Sequence, residues 1–299
     1  MAFSLTENAT VIQIMNSLLP PGSGIIYKDP NLSGDPRCAA LFSGGWNATE
    51  GNSTIALFPD FGFLLGTGDA HKLYGQDGTD ISTNFGYPGD PDIAINAGTS
   101  SSHDACTLAF EFQCENSNLG FLEISYAFAS DEYIEQVNEN TGFSDEFALL
   151  LNGNNIGDVP GSPGTAVSVY SINDKVNPEY FVYNNPRMGL ALYPDFEPDG
   201  FTKNLKATGN ILPGWNTMKI GIVDILDPHY DSWVFLEGGA FMCVPIPVAT
   251  PAPTSSPTPA PTTSNNIPGN AGGGKFIHIP CCNVPLCWSL WKGMNAPTT

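Results

Sequence analysis

The chain has 299 residues, including 32 Gly and 26 Pro, with only 13% charged residues and a formal net charge of −20. That length supports one large core, or a core followed by a tail, and so turn-rich and weakly charged a composition favours an all-β body over a helical one. The charge excludes nucleic acid and anionic membranes as partners, because no basic patch is available to displace counterions; divalent cations and neutral sugars stay compatible.

Met1 to Pro20 lacks the basic start and long apolar run of a secretory signal peptide. Either a leader has been removed, or the reading frame is truncated, or export is unconventional. No stretch approaches the ~18 apolar residues of a membrane span. Residues 6–19 carry Val11, Ile14, Met15 and Leu18 at helical spacing, and Pro20-Pro21 ends the predicted helix. From Ile25 to Tyr87, short apolar pieces (GIIY, CAALF, STIALF, FGFLLGTG) alternate with Gly, Asn, Asp and Pro, which predicts strands and turns. Gly75 to Ser102 is polar and reads as a long surface loop, a feature more often functional than accidental.

Regular alternation begins at Cys106, with Leu108, Phe110, Phe112 and Cys114 on the same face. In the stretch Phe121 to Gly153, one predicted strand carries Leu122, Ile124, Tyr126 and Phe128 on one face, and another carries Phe147, Leu149 and Leu151. Between them stand Asp131, Glu132, Glu135, Glu139, Asp145 and Glu146, without one Lys or Arg. Further strands are predicted at 165–172, 179–183 and 199–207, and a turn at Leu212-Pro213-Gly214. In NTMKIGIVDI, Met218, Ile220 and Ile222 share a face. DSWVFLEGGAFMC is fully apolar in its middle and therefore a central strand.

These elements predict an all-β fold, a two-sheet β-sandwich of jelly-roll type with a short N-terminal helix, spanning residues 1–245. Residues 246–274 form a Pro/Thr/Ser/Gly-rich linker, disordered or extended, whose hydroxyls are plausible O-glycan acceptors. Residues 275–299 are a short tail with Cys281, Cys282, Cys287, Trp288 and Trp291, too short to fold without staples.

Six carboxylates fall in two groups, Asp131, Glu132 and Asp145, and Asp224, Asp227 and Asp231. Loops at one end of a sandwich converge, so both groups can serve one oxygen-rich site suited to Ca²⁺. The alternative is that they cap turns in solvent. Tyr133 and Tyr230 lie within these groups, and Tyr74 lies in a Gly/Asn-rich loop with Trp46, Phe85 and Tyr87. These rings are candidates for stacking on a carbohydrate, or for ordinary packing at the sandwich ends. A glycosidase pair, Asp131 or Glu132 with Asp231, is the catalytic alternative. The four histidines are scattered and no nucleophile elbow or His-Glu-x-x-His pair exists.

Cys106 and Cys114 lie in one strand, roughly 26 Å apart at ~3.3 Å per residue, and cannot pair with each other. Cys114–Cys243 with Cys38–Cys106 is one of the connectivities open to these cysteines. The three tail cysteines leave an odd thiol for cross-linking to a partner; zinc with His278 is made awkward by the adjacent Cys281-Cys282. Sequons at Asn8, Asn31, Asn47 and Asn52, with seven cysteines, point to an oxidising, secretory compartment.

The order IQIMNSLLPPGSGI, FGFLLGTGDA, HDACTLAFEF, YAFASDEYIE…GFSDEFALLLNG, then SINDKVN…YFVYNN, DGFTKNLKA and IVDILDPHYDSWVFLEGGAF resembles the bacterial choice-of-anchor L domain over residues 8–243. ASDEY and DSWVFLE are the most specific blocks. The resemblance implies a secreted or surface-displayed β-rich module without established catalytic activity. The C-terminal linker and Cys/Trp tail depart from a bacterial anchor and suggest a eukaryotic extracellular setting. The expected function is therefore non-enzymatic: an extracellular or cell-surface adhesion module with calcium-assisted recognition of carbohydrate, matrix or cell-wall polymer. A carbohydrate-active hydrolase or an acidic structural matrix protein are the alternatives.

Overall fold

The computed structural model describes residues 3–44, 47–50, 53–56, 59–73, 81–95, 101–115, 119–133, 136–137, 144–185 and 196–245. The chain divides into Met1–Val248 and Ala249–Thr299, and all described residues belong to the first unit. In chain order its elements are β1 (Ser4–Glu7), α1 (Val11–Leu18), β2 (Ile25–Ser33), β3 (Ala39–Ser43), β4 (Asn47–Glu50), β5 (Ser53–Ala56), β6 (Phe61–Gly66), α2 (Pro91–Ala94) and β7 (Ser102–Cys114). There follow β8 (Leu119–Ser130), β9 (Glu146–Leu151), β10 (Asn154–Asn155), β11 (Phe181–Tyr183), β12 (Gly200–Thr202), β13 (Leu205–Asn210), β14 (Asn216–Ile225), β15 (Ser232–Glu237) and β16 (Met242–Pro245).

Two antiparallel sheets form a sandwich, as the alternation predicts. The first runs β1-β3-β6-β15-β8-β12-β11, with β13 and β16 also paired to β8; the second runs β10-β9-β14-β7-β2. Inward residues of both sheets meet in one core: Phe63 and Leu65 of β6, Leu122 to Phe128 at alternate positions of β8, and Val234 and Leu236 of β15 face Leu108 to Phe112 of β7, Phe147 to Leu151 of β9 and Met218 to Ile222 of β14. β15 pairs with both β6 and β8, the central place its apolar run requires. Its outward Trp233 and Phe235 are buried too, because Phe3, Leu73, Ile81, Phe196 and Phe201 cover that face.

Both disulfides join the sheets. Cys38–Cys106 ties the start of β3 to β7, with Cα atoms 6.0 Å apart, and Cys114–Cys243 ties the far end of β7 to β16, with Cα atoms 6.2 Å apart. The long strand β7 is thus fastened to the opposite sheet at two well-separated points.

Several boundaries differ from expectation. The N-terminal helix covers only Val11–Leu18, because Thr10 caps it in a reciprocal box with Gln13, and Ser4–Glu7 pairs instead with β3. Residues 165–172 are not a strand. Val167, Val169 and Ile172 are buried, but Ser168, Ser171 and Asn173 bond to local backbone groups, and those bonds compete with a ladder. The strand expected at 199–207 is split into β12 and β13, and β7 starts four residues before Cys106. The expected loop at 75–102 contains α2, whose Ile93 and Ala94 cover the outer face of β9 and β14.

Candidate functional site

The strand period carries past the last apolar residue at one end of the sandwich, and there it places polar groups. On β9 the inward series Leu151, Leu149, Phe147 continues to Asp145; on β14 the series Met218, Ile220, Ile222 continues to Asp224. On β8, β15 and β6 the same continuation gives Ser130, Ser232 and Thr67. Asp131 and Asp231, one step further out of phase, meet through the Asp131 N–H donating to the Asp231 carbonyl at 3.1 Å. The two acidic groups therefore converge at one rim. They are not solvated, however: Asp145, Asp224 and Asp231 are each 1% exposed, and Asp131 and Glu132 2%.

The carboxylates divide by their partners. One set holds a strap of extended chain, residues 81–87, across the rim. The N–H of Ile81 donates to Asp131 Oδ2 at 2.6 Å and that of Thr83 to Asp231 Oδ1 at 2.8 Å. The N–H groups of Phe85 and Tyr87 donate to Asp104 at 2.8 and 2.7 Å. Every second amide of the strap thus finds a carboxylate instead of a neighbouring strand. The sequence reading missed Asp104; its signal is an acid embedded at the head of an apolar strand.

The second set is under-satisfied. Glu132 Oε2 accepts from the Asp145 N–H at 3.0 Å, and Asp145 Oδ2 from the Thr67 hydroxyl at 3.3 Å. Among the described residues neither oxygen of Asp224 has a hydrogen-bond partner, nor has Asp231 Oδ2. Burial pushes Glu132 up to about 8, with Asp227 adding repulsion against the pull of the Asp145 amide. Burial likewise raises Asp231 to about 6, offset by Thr83 and by the Lys72 cation. Asp145 and Asp224 lie well above the ordinary carboxylate range, first through burial; repulsion from Glu132, Asp224 and Asp231 adds to it at Asp145, and repulsion from Asp231, Asp104 and Glu132 at Asp224. Thr67 lies close enough to ease Asp224, although its hydroxyl is directed to Asp145.

Two glycines of the LLGTGD stretch make room for this arrangement. A Cβ on Gly66 would enter the Trp233 ring, and one on Gly68 would occupy the place of the Asp231 carboxylate. The glycines serve close packing, not a phosphate.

Asp227 lies outside the buried set. Its carboxylate accepts from the His229 N–H at 3.1 Å, and with Ser82, Gln136, His229 and Tyr230 it lines a depression of about 310 Å³ above the rim. Ser82 Oγ lies 3.2 Å from His229 Nδ1, but the Asp227 carboxylate bonds that residue's backbone, and among the described residues no acid is hydrogen-bonded to the imidazole as a triad requires.

Tyr133 is not at the surface. Its ring is buried against Phe128 and Phe181, with Gly200 closing over it, and offers no face to a sugar. Tyr230 is half-buried at the depression, and Tyr74 and Trp46 lie outside the described residues. Arg37 covers the ring of Phe85 at 4.7 Å, whereas Tyr87 is 40% exposed. Among the described residues no three His, Cys, Asp or Glu side chains already surround a common metal position. Asn8 and Asn31 are exposed; Asn52 lies outside the described residues, and for Asn47 only the backbone in β4 is described. Cys281, Cys282 and Cys287 also lie outside them. No described helix is long and apolar enough to cross a membrane.

Fold, staples and rim together define a disulfide-bonded β-sandwich with buried acids at one end. The chain belongs to the choice-of-anchor L domain family, whose family model matches residues 9–242. The family is not one of enzymes, and membership makes this a cell-surface-associated β domain. No curated protein and no solved structure matches the chain.

Proposed function

We propose that this domain is a non-catalytic binding module of the extracellular surface, and that its rim takes up one Ca²⁺ between Asp145, Asp224 and Asp231, with Glu132 beside them. The observation that carries this reading is Asp224: a carboxylate 1% exposed, with no hydrogen-bond partner for either oxygen among the described residues, facing other buried acids. An uncompensated buried charge costs several kcal/mol, so the cluster must bind either protons or a cation. At neutral pH a hard dication with oxygen ligands suits it better than a shared proton. Because the site is enclosed, calcium acts here as an internal brace for the loops after β8 and β14. Recognition of a carbohydrate or matrix polymer falls to groups around the depression, the half-buried Tyr230 among them. The exposed sequon residues Asn8 and Asn31 are accessible to N-glycosylation.

A polysaccharide hydrolase is less well supported. Asp131, Glu132 and Asp231 are the required acids, and all three are closed off from any cleft. The test is calorimetric titration of Ca²⁺ into the chelator-treated full chain. Saturable binding that is lost in Asp224→Asn supports the reading, and its absence in the unaltered chain contradicts it.

A further inference from the structure

Among the described residues, the outer face of the second sheet is not covered along its whole length. α2 packs over one end, where Ile93 lies against Gly221, and beyond it a groove of about 540 Å³ runs along β7, β14 and β9. Its floor and walls include Glu111, Thr217, Lys219 and Asn155, with Ile95, 71% exposed, at the helix end. Just outside this lining, Trp215 immediately precedes β14 on the same outward phase as Thr217, and the residue is 42% exposed. Lys28 Nζ lies 4.6 Å from the centre of that indole and 3.0 Å from Glu111. One face of the ring is thus held in place without closing the residue off.

Both cations along this face are already neutralised. Lys28 pairs with Glu111, and Lys219 Nζ lies 2.7 Å from carboxylate oxygens of both Asp90 and Asp92. Among the described residues the groove therefore offers fixed donors and acceptors near an aromatic plane, with no unpaired positive charge to attract an anion. On a chain of net charge −20, a polyanion is repelled. A groove of this size, with an apolar plane and a few oriented polar groups, matches a ligand with an apolar face and a hydroxylated edge. Pre-positioning of the ring lowers the entropy cost of binding.

We propose that this groove is a binding site for a neutral polysaccharide, with Trp215 as its stacking residue. The proposal shares with the rim reading the premise that the domain recognises a glycan, but not the dependence on calcium. The test is affinity electrophoresis of the full chain through gels containing β-glucan, soluble chitin derivative, mannan or, as the anionic case, alginate. Retardation by at least one neutral polymer is expected, weakened about tenfold in Trp215→Ala and largely kept in Trp215→Phe, with Tm unchanged. Retardation persisting in chelator, at a temperature where the chain stays folded, separates this groove from the rim. Three results overturn the proposal: no neutral polymer retards the chain, Trp215→Ala behaves as the unaltered chain, or binding disappears in Asp224→Asn but survives in Trp215→Ala.

Discussion

At the residue scale, the rim shows how one carboxylate differs from the next by its partners alone. Asp104 receives the N–H groups of Phe85 and Tyr87 and Asp131 that of Ile81, whereas Asp224 receives none among the described residues. Replacement of Asp104 and of Asp224 therefore has opposite signs. Asp104→Ala leaves the amides of Phe85 and Tyr87 without acceptors, so hydrogen exchange at those two amides accelerates and stability falls by about 2–4 kcal/mol. Asp224→Asn removes a buried charge; without calcium it raises Tm at about pH 8, and it abolishes any rise in Tm on adding calcium. A fall in Tm without calcium would show that the charge has a partner after all. Gly68→Ala places a methyl group where the Asp231 carboxylate lies, and denaturant melts should show a loss of about 1–3 kcal/mol.

At the element scale, much was legible because the strands obey a period of two. Leu122 to Phe128, Phe147 to Leu151 and Met218 to Ile222 all face the core as their spacing dictates, and the centrality of β15 follows from its unbroken apolar middle. Where local hydrogen bonds outcompete the ladder, as at Ser168, Ser171 and Asn173, the same pattern of alternate valines misleads. The convergence of the two acidic groups was legible from sandwich geometry, but their burial was not. Burial depends on the strap 81–87 lying over them, a tertiary contact that no local pattern encodes. For the same reason Tyr133, flanked by acids in sequence, lies inside. The disulfides belong to this scale. They close loops of 68 and 129 residues, and removing Cys114–Cys243 by paired Cys→Ala replacement should cost about 2–5 kcal/mol in equilibrium unfolding. The fold should survive, because the inter-sheet core is independent of that bridge.

At the scale of the whole molecule, the acidic rim links stability to pH, and the proposed uptake of calcium would act on it in the opposite sense. Without metal, the folded state holds protons on Glu132 up to about 8 and on Asp231 up to about 6, whereas the unfolded chain releases them near the ordinary carboxylate values. The folded chain thus binds more protons between those limits, and its stability falls as pH rises through them. A bound dication reverses the trend, because it competes with protons and binds best when the carboxylates are ionised. The most direct measurement is the Tm of the full chain in chelator at about pH 5 and about pH 8, followed by millimolar Ca²⁺ at the higher pH. The account predicts a drop of roughly 5 °C or more between the two chelated samples, recovered by calcium. A chelated chain equally stable at both values and indifferent to calcium would contradict it.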